Sequence, residues 1–366
     1  MKQEHIQRQR VHSIDLARGL AVLFMIWVHV LITYSSHDVI KSTPGLVVGF
    51  LGGPLAAPVF MALMGVSFYY SRNTTFRPSA IRGLKIILLG YILNILRGVL
   101  PVFLVSEFLP NMAASIPGAV ADYYSAFLEL DILQFAGLAL IVMAIIRELK
   151  PDKYVLLLLA AVVAIVSPML WGIGSDIPVA GHFLDYLWGD IPSNEMCVGN
   201  FVSFPFFPWF SFVLVGMFLG DTFSRSTDLH KSFNDVGMIG FLVLIVSSII
   251  VVPDLGYHLG DYYHCRPAAV AMITGIVLTW LYVCNVIVEK IKMDRFFGLA
   301  YYWSRNVTSI YVIQWVIIMV GADAITGFNK CSYSMTAAIM IIMPVASHLI
   351  NEIFLNLKKR WSNRDA

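Results

Sequence analysis

Long apolar stretches alternate with short polar segments along the whole chain. Runs of about 17–25 apolar residues have the length that crosses a bilayer. We identify ten of them, at about 16–36, 46–70, 81–105, 127–147, 153–171, 204–222, 234–252, 267–288, 301–322 and 335–356. Because backbone groups in lipid cannot bond to water, each run is predicted to be a helix. The pattern therefore predicts an all-α polytopic membrane protein of about ten transmembrane helices, with residues 1–366 forming one domain.

The composition agrees with a membrane location. Of the 366 residues, 58% are hydrophobic and 13% are charged, whereas soluble domains carry about 25% charged residues. The net charge of +2 gives no indication of a nucleic-acid partner. No small-residue cleavage site follows the first apolar run, so we interpret this run as a retained helix rather than a signal peptide.

Positively charged residues concentrate in alternate loops. One set of loops holds most of them: Lys2, Arg8, Arg10, Arg72, Arg77, Arg82, Lys85, Arg147, Lys150, Lys153, Arg225, Lys231, Lys290, Lys292, Arg295, Lys358, Lys359, Arg360 and Arg364. The opposite set holds little beyond Lys41, Arg266 and Lys330. The positive-inside rule places the first set, and with it both termini, on the cytoplasmic side.

The first predicted helix carries ionisable residues in a regular arrangement. Asp15 and Arg18 are three residues apart and therefore share a helix face. His29 follows Arg18 by eleven residues, which is close to three turns and a rise of about 16 Å. A groove along that face would have a cation at its cytoplasmic mouth and an imidazole deep in the membrane. Ionisable groups at such depth are candidates for function.

This arrangement suits acyl-CoA, which has a phosphorylated head and a long thin arm that ends in a thioester. A guanidinium such as that of Arg18 binds phosphate bidentately. An imidazole such as that of His29 titrates near neutral pH and is a suitable general base. The structural alternatives are an ordinary Asp15–Arg18 salt bridge and a buried His29 that bonds to a neighbouring helix.

Further charged residues lie at or inside other predicted spans. Arg72, Arg82 and Lys85 form a second basic site, which is either a phosphate clamp or ordinary positive-inside charge. Arg97 is predicted to lie within the third span and needs an acidic partner, for which Glu129 and Asp131 are the candidates.

The predicted outside loops are long and combine acidic with aromatic side chains, a combination that suits a sugar or another polar ligand. They are 106–126, 172–203 and 253–266. Asp261 and His264 in the last loop, with Trp209 and Asp38, are candidate acceptor-binding residues. An aromatic belt at the membrane interface is the alternative explanation for the Tyr and Trp residues.

The cysteines give no indication of a metal site, because none has metal-ligand spacing. Cys197, Cys265 and Cys331 fall in predicted outside loops, whereas Cys284 falls within a span. The three outside cysteines permit one disulfide, but the sequence does not choose the pair.

Four segments of the chain carry recognisable motifs. The first runs from Ser13 to His29, with the Arg-x10-His spacing, and the third runs from Phe204 to Gly220. The others run from Phe60 to Ser67 and from Arg305 to Gln314. These segments, the first and third most specifically, resemble the transmembrane acyltransferase superfamily, in particular bacterial relatives of heparan-α-glucosaminide N-acetyltransferase and, more distantly, the acyltransferase-3 family.

The resemblance implies transfer of an acyl group, most simply acetyl, from cytoplasmic acetyl-CoA to a sugar or glycan outside a bacterial inner membrane, without a metal. It implies a CoA site at Arg18, Arg82, Lys85, Arg72 and Arg305, and a catalytic set of His29, Asp15, His37 and Asn306. Two departures stand out: Gln314 replaces the motif's usual His, and His37 offers a second base beside Asp38. The resemblance also allows a homodimer.

Two other function classes fit parts of the pattern. A ten-helix bundle with polar residues inside also describes a transporter for a small polar solute, although we find no internal repeat of the kind common in transporters. A scaffolding protein would not need Arg18 and His29 on one helix face. Binding of acetyl-CoA, as opposed to solute flux without CoA, distinguishes the enzyme from the transporter.

Overall fold

The computed structural model describes residues 11–71, 75–108, 123–177, 180–190, 202–291, 294–322 and 327–362. The helices of the first half are α1 His12–Tyr34, α2 His37–Lys41, α3 Thr43–Gly52, α4 Ala57–Tyr70, α5 Phe76–Asn94, α6 Leu100–Phe108, α7 Tyr123–Leu128 and α8 Ile132–Leu149. A π-helical segment, Ile95–Val99, joins α5 to α6. The helices of the second half are α9 Lys153–Leu170, α10 Ala180–Trp188, α11 Phe206–Arg225, α12 Leu229–Val251, α13 Leu255–Leu259, α14 Pro267–Lys290, α15 Asp294–Arg305, α16 Val307–Gly321 and α17 Tyr333–Ser362.

The described part of the chain confirms an all-α polytopic membrane protein. Nine of its helical segments are long and apolar enough to cross a bilayer, and each overlaps one of the ten predicted spans. Two isolated backbone bridges, Ser35 with Cys331 and Leu130 with Val202, complete the secondary structure outside the helices and turns.

The one predicted span without such a match, 301–322, is interrupted. The chain leaves helical geometry at Asn306, which lies between α15 and α16, with φ −113° and ψ 21°. The 15 residues of α16 fall short of the roughly 20 that a span needs. Only three consecutive polar residues, Ser304, Arg305 and Asn306, mark the break in the sequence, and the hydropathy pattern joined the apolar residues on both sides of them into one span. The side of the membrane on which each terminus lies stays a prediction.

Close contacts between helix backbones build the bundle around α1, which packs on α3, α4, α14, α15, α16 and α17. Other pairs are α4 with α11, α5 with α8, and α12 with α14. In the α4–α11 pair, a Cβ added to Gly216 would lie 1.9 Å from the carbonyl oxygen of Ala62. Small residues permit such a close approach. In lipid, where burial of apolar side chains gives no net gain, the van der Waals packing that results drives helix association.

Cys265 and Cys284, both in the described residues, are buried free thiols. Of the three predicted outside cysteines, Cys265 therefore does not pair with Cys331. The third, Cys197, lies outside the described residues.

Candidate active site

The N-terminal half of α1 carries a compact polar cluster. Arg18 Nη1 lies 3.6 Å from Asp15 Oδ1, as the i,i+3 spacing predicts. Ser304 Oγ on α15 donates to the same carboxylate oxygen at 2.8 Å and accepts from Arg18 at 3.3 Å. Arg18 also donates to Ser67 on α4. The guanidinium is therefore fixed by three helices, and about a fifth of its side chain, 21%, stays exposed.

Gly19 explains why Ser304 can reach this cluster. A Cβ at position 19 would lie only 2.2 Å from the carbonyl oxygen of Ala300 on α15. Glycine is thus required for α1 and α15 to approach closely, and this approach places Ser304 beside Arg18. In the first motif, Arg18 therefore supplies the charge, and Gly19 leaves the space that lets Ser304 reach it.

The deeper part of α1 places His29 in a second polar cluster. Its Nδ1 lies 2.9 Å from Gln314 Nε2 and 3.2 Å from Gln314 Oε1 on α16. The His29 ring centroid lies 4.2 Å from that of Trp315 and 6.2 Å from that of Tyr311. The structure therefore joins the last residue of the first motif to the last residue of the fourth, across 285 positions of sequence.

The face of α1 between the two clusters is filled by packed side chains. Val22, Met25 and Ile26 are 0%, 5% and 1% exposed and belong to an apolar cluster. The expected open groove from Arg18 to His29 is therefore absent from the described structure. Helix spacing predicts which residues share a face, but it does not show whether side chains of neighbouring helices cover that face.

A buried ion-pair network adjoins His29. Arg97 Nη1 lies 2.8 Å from Asp131 Oδ2, and Arg97 Nη2 lies 3.0 Å from Glu129 Oε1. Both predicted candidates are therefore partners of Arg97. The guanidinium also lies over the Trp315 ring, with its carbon 4.9 Å from the centroid.

Tyr311 connects this network to the His29 cluster. Its hydroxyl donates to Asp131 Oδ2 at 2.5 Å, while its ring makes an edge contact with His29. Sequence reasoning missed Tyr311 and Trp315 as site residues. Tyr311 could have been found, because it lies three residues before Gln314 and so shares its helix face, whereas Trp315, the next residue along, gave no such signal.

Asp261 and His264 form a buried cluster in the loop before α14. His264 Nδ1 lies 2.7 Å from Asp261 Oδ2, and its Nε2 lies 3.3 Å from Asp190 Oδ1. The side chain of His264 is 1% exposed. Trp209, at the start of α11, is fully buried and donates from Nε1 to the carbonyl oxygen of Tyr263 at 2.9 Å. In this structure His264 joins its loop to Asp190, and Trp209 joins α11 to the loop before α14. Contact of either residue with an acceptor stays a prediction.

This cluster predicts a loss of stability at alkaline pH. Burial lowers the pKa of His264, but hydrogen bonds and ion pairs with Asp190 and Asp261 outweigh it and raise the pKa to about 9. The unfolded value is near 6.5, so the stabilisation is complete below pH 6.5 and is lost as pH rises through 9. We expect the free energy of unfolding to fall by about 3 kcal/mol over that window.

Thermal unfolding of the detergent-solubilised protein between pH 6 and pH 10 checks this expectation. Asp261→Asn should flatten the dependence, because it removes the nearer carboxylate. An unchanged slope in that variant would show that other groups cause the alkaline loss.

The remaining predicted residues are not gathered at either α1 cluster. His37 and Asp38 are exposed on α2. Arg305 is exposed next to Ser304, whereas Asn306 donates from Nδ2 to the carbonyl oxygen of Tyr302 at 2.9 Å and ends α15. Two more cations, Arg82 and Lys85, are exposed on α5. Arg72 lies outside the described residues.

Comparison with known families decides the identity of the bundle. Residues 10–248 match the family described as heparan-alpha-glucosaminide N-acetyltransferase, catalytic, and this is more than half of the chain. The chain belongs to this family. No match was found among curated proteins.

Membership in the heparan-alpha-glucosaminide N-acetyltransferase family supports a membrane acetyltransferase-like function. The match contains the first three motifs, with Arg18, His29 and Trp209. The fourth motif and the Asp261–His264 loop lie beyond residue 248. The family region therefore supplies His29, while the C-terminal helices supply its partner, Gln314.

Proposed function

We propose that the protein transfers an acetyl group from cytoplasmic acetyl-CoA to a sugar amine or hydroxyl on the far side of a bacterial cytoplasmic membrane. The observation that carries this proposal is the arrangement of α1. This family helix presents a fixed guanidinium near one end and, about 16 Å further along, an imidazole held by Gln314. The two groups match the two ends of the donor.

The donor head binds at the cytoplasmic cluster in this proposal. Arg18 is charged, partly exposed and held by Asp15 and Ser304, so it is oriented before a phosphate arrives. Exposed Arg305 supplies a second cation one residue beyond Ser304. Asp15 acts here as a positioning residue for the guanidinium and not as a base. The proposal also requires Val22, Met25 and Ile26 to move aside, or the donor arm to pass beside them.

His29 acts as the general base. When Nδ1–H donates to Gln314 Oε1, the lone pair of Nε2 is available for the proton of the acceptor amine or hydroxyl. The acceptor then attacks the thioester carbonyl, the carbon–sulfur bond breaks, and CoA leaves as the thiolate. Attack by His29 itself, to give an acyl-imidazole that the acceptor then opens, is the two-step variant.

His37 beside Asp38 is the competing base. Both are exposed just beyond the end of α1, on the acceptor side in the proposed orientation. The backbone there is fixed, since Ser36 N donates to Cys331 O at 3.0 Å and Cys331 N donates to Tyr34 O at 2.8 Å. Comparison of the two histidine variants decides between these bases.

Labelled acetyl-CoA tests the function directly. Purified protein in proteoliposomes is given acetyl-[14C]CoA outside, with amino sugars and neutral sugars enclosed one at a time. The expected result is acetylated sugar inside the vesicles and free CoA outside, from protein inserted with its cytoplasmic face outward. Saturable sugar flux that does not depend on CoA would reject the enzyme in favour of a transporter.

Gln314 provides a separate prediction. Gln314→Leu is expected to lower kcat roughly tenfold, because loss of one hydrogen bond to a buried polar group costs about 1–2 kcal/mol. Gln314→Glu should retain more activity than Gln314→Leu, since a carboxylate also accepts from Nδ1–H. Steady-state transfer with both variants checks this order. Equal rates in both variants would remove Gln314 from the mechanism.

A further inference from the structure

The cytoplasmic part of α5 carries an open depression that the proposed reaction does not use. Arg77, Pro78, Ile81, Arg82 and Lys85 line it, and its volume is about 510 Å³. The three cationic side chains are exposed, and no ion pair to them occurs in the described ranges. The nearby Glu148 instead accepts from the backbone N–H of Phe76 at 3.1 Å. The depression thus concentrates positive charge, and within the described residues no carboxylate forms an ion pair with it.

The floor of this depression continues into an apolar stripe. Ile81, Leu84, Leu88 and Ile92 follow at helical spacing and are 46%, 59%, 61% and 43% exposed. The opposite face of α5 is buried against α8, where Gly83 meets the carbonyl oxygen of Gly137. The stripe therefore faces outward from the bundle, into the acyl chains of the bilayer.

The depression is also separate from the Arg18 cluster. Arg18 contacts Ser67 on α4 and Ser304 on α15, whereas the main packing partner of α5 is α8. A ligand held by Arg82 and Lys85 would therefore lie on the lipid-facing side of the bundle. This position disfavours the predicted use of these two residues as a clamp for the CoA phosphates.

We infer that the depression binds the phosphate group of an anionic phospholipid, with one acyl chain along the Ile81–Ile92 stripe. Guanidinium and ammonium groups are suited to a phosphodiester. The stripe supplies an apolar surface for an acyl chain, which a phospholipid has and a soluble nucleotide lacks. Each cation contributes about a factor of five to attraction by an anionic headgroup at the membrane surface.

Lipid binding to the full chain tests this inference. The detergent-solubilised protein is titrated with phosphatidylglycerol and, separately, with phosphatidylcholine, and bound lipids are counted by native mass spectrometry. We expect wild type to prefer phosphatidylglycerol. The pair Arg82→Gln and Lys85→Gln should weaken phosphatidylglycerol binding roughly 30-fold, from two lost cations. Phosphatidylcholine binding should change little.

A matched control uses two other exposed cations near a helix end. Lys358→Gln with Lys359→Gln removes the same charge from α17 and should keep the preference for phosphatidylglycerol. Equal loss in both double variants, or loss in neither, would overturn a specific site. A third arm adds adenosine 3′,5′-bisphosphate, and displacement of phosphatidylglycerol by it would assign the depression to CoA instead. Melting temperatures confirm that each variant is folded, and acetyl transfer is not part of the readout.

Discussion

Replacement of His29 by Ala is expected to lower kcat for acetyl transfer by about 10²- to 10⁴-fold, the usual contribution of a general base. KM for acetyl-CoA should change little, because the donor head binds at the other end of α1. Initial rates with labelled acetyl-CoA in detergent or proteoliposomes measure both parameters. This is the largest effect that the proposed mechanism predicts for any single side chain.

Two matched variants make this experiment decisive. His230→Ala removes an exposed imidazole whose partner is Glu289 on α14, at 2.8 Å, and which belongs to neither α1 cluster, so this variant should retain wild-type rates. His37→Ala tests the competing base. A large loss in His37→Ala with near-normal rates in His29→Ala would move the proton transfer to His37 and reduce His29 to a packing role.

Replacement of Asp131 by Leu is expected to destabilise the fold by about 3–5 kcal/mol, because it leaves the Arg97 guanidinium without its closest partner in a buried site. The change also removes the acceptor for the Tyr311 hydroxyl and a side-chain acceptor for the first backbone N–H of α8, that of Ile132. Denaturant or thermal unfolding in detergent measures the loss. A shift of less than about 1 kcal/mol would contradict the assignment of a buried network.

Two comparisons separate charge from general disruption. Glu129→Gln alters the other partner of Arg97, but that side chain is 39% exposed, so we expect at most about 1 kcal/mol. The double change Arg97→Met with Asp131→Leu should be more stable than Asp131→Leu alone, because no buried charge is left unpaired. The opposite order would mean that packing, and not the ion pair, stabilises this region.

Local properties of the chain were predictable. Whether a segment spans the membrane depends on the composition of about 20 consecutive residues, and nine predicted spans match helices. The Asp15–Arg18 pair follows from helical spacing alone, and the cost of a buried charge pointed Arg97 to Glu129 and Asp131. Each of these features depends on a single stretch of sequence or on one large energetic cost, so the sequence alone could predict it.

Relations between distant segments were decided only by the tertiary structure. The meeting of His29 with Gln314, the filling of the α1 face by Val22 and Ile26, and the burial of His264 between two carboxylates depend on which helices pack together. In lipid most of each helix surface is apolar, so packing is selected by close fit between small residues and by a few polar contacts. Such fit leaves little trace in one sequence, which is why the chain determined its helices and charges while the fold determined its sites.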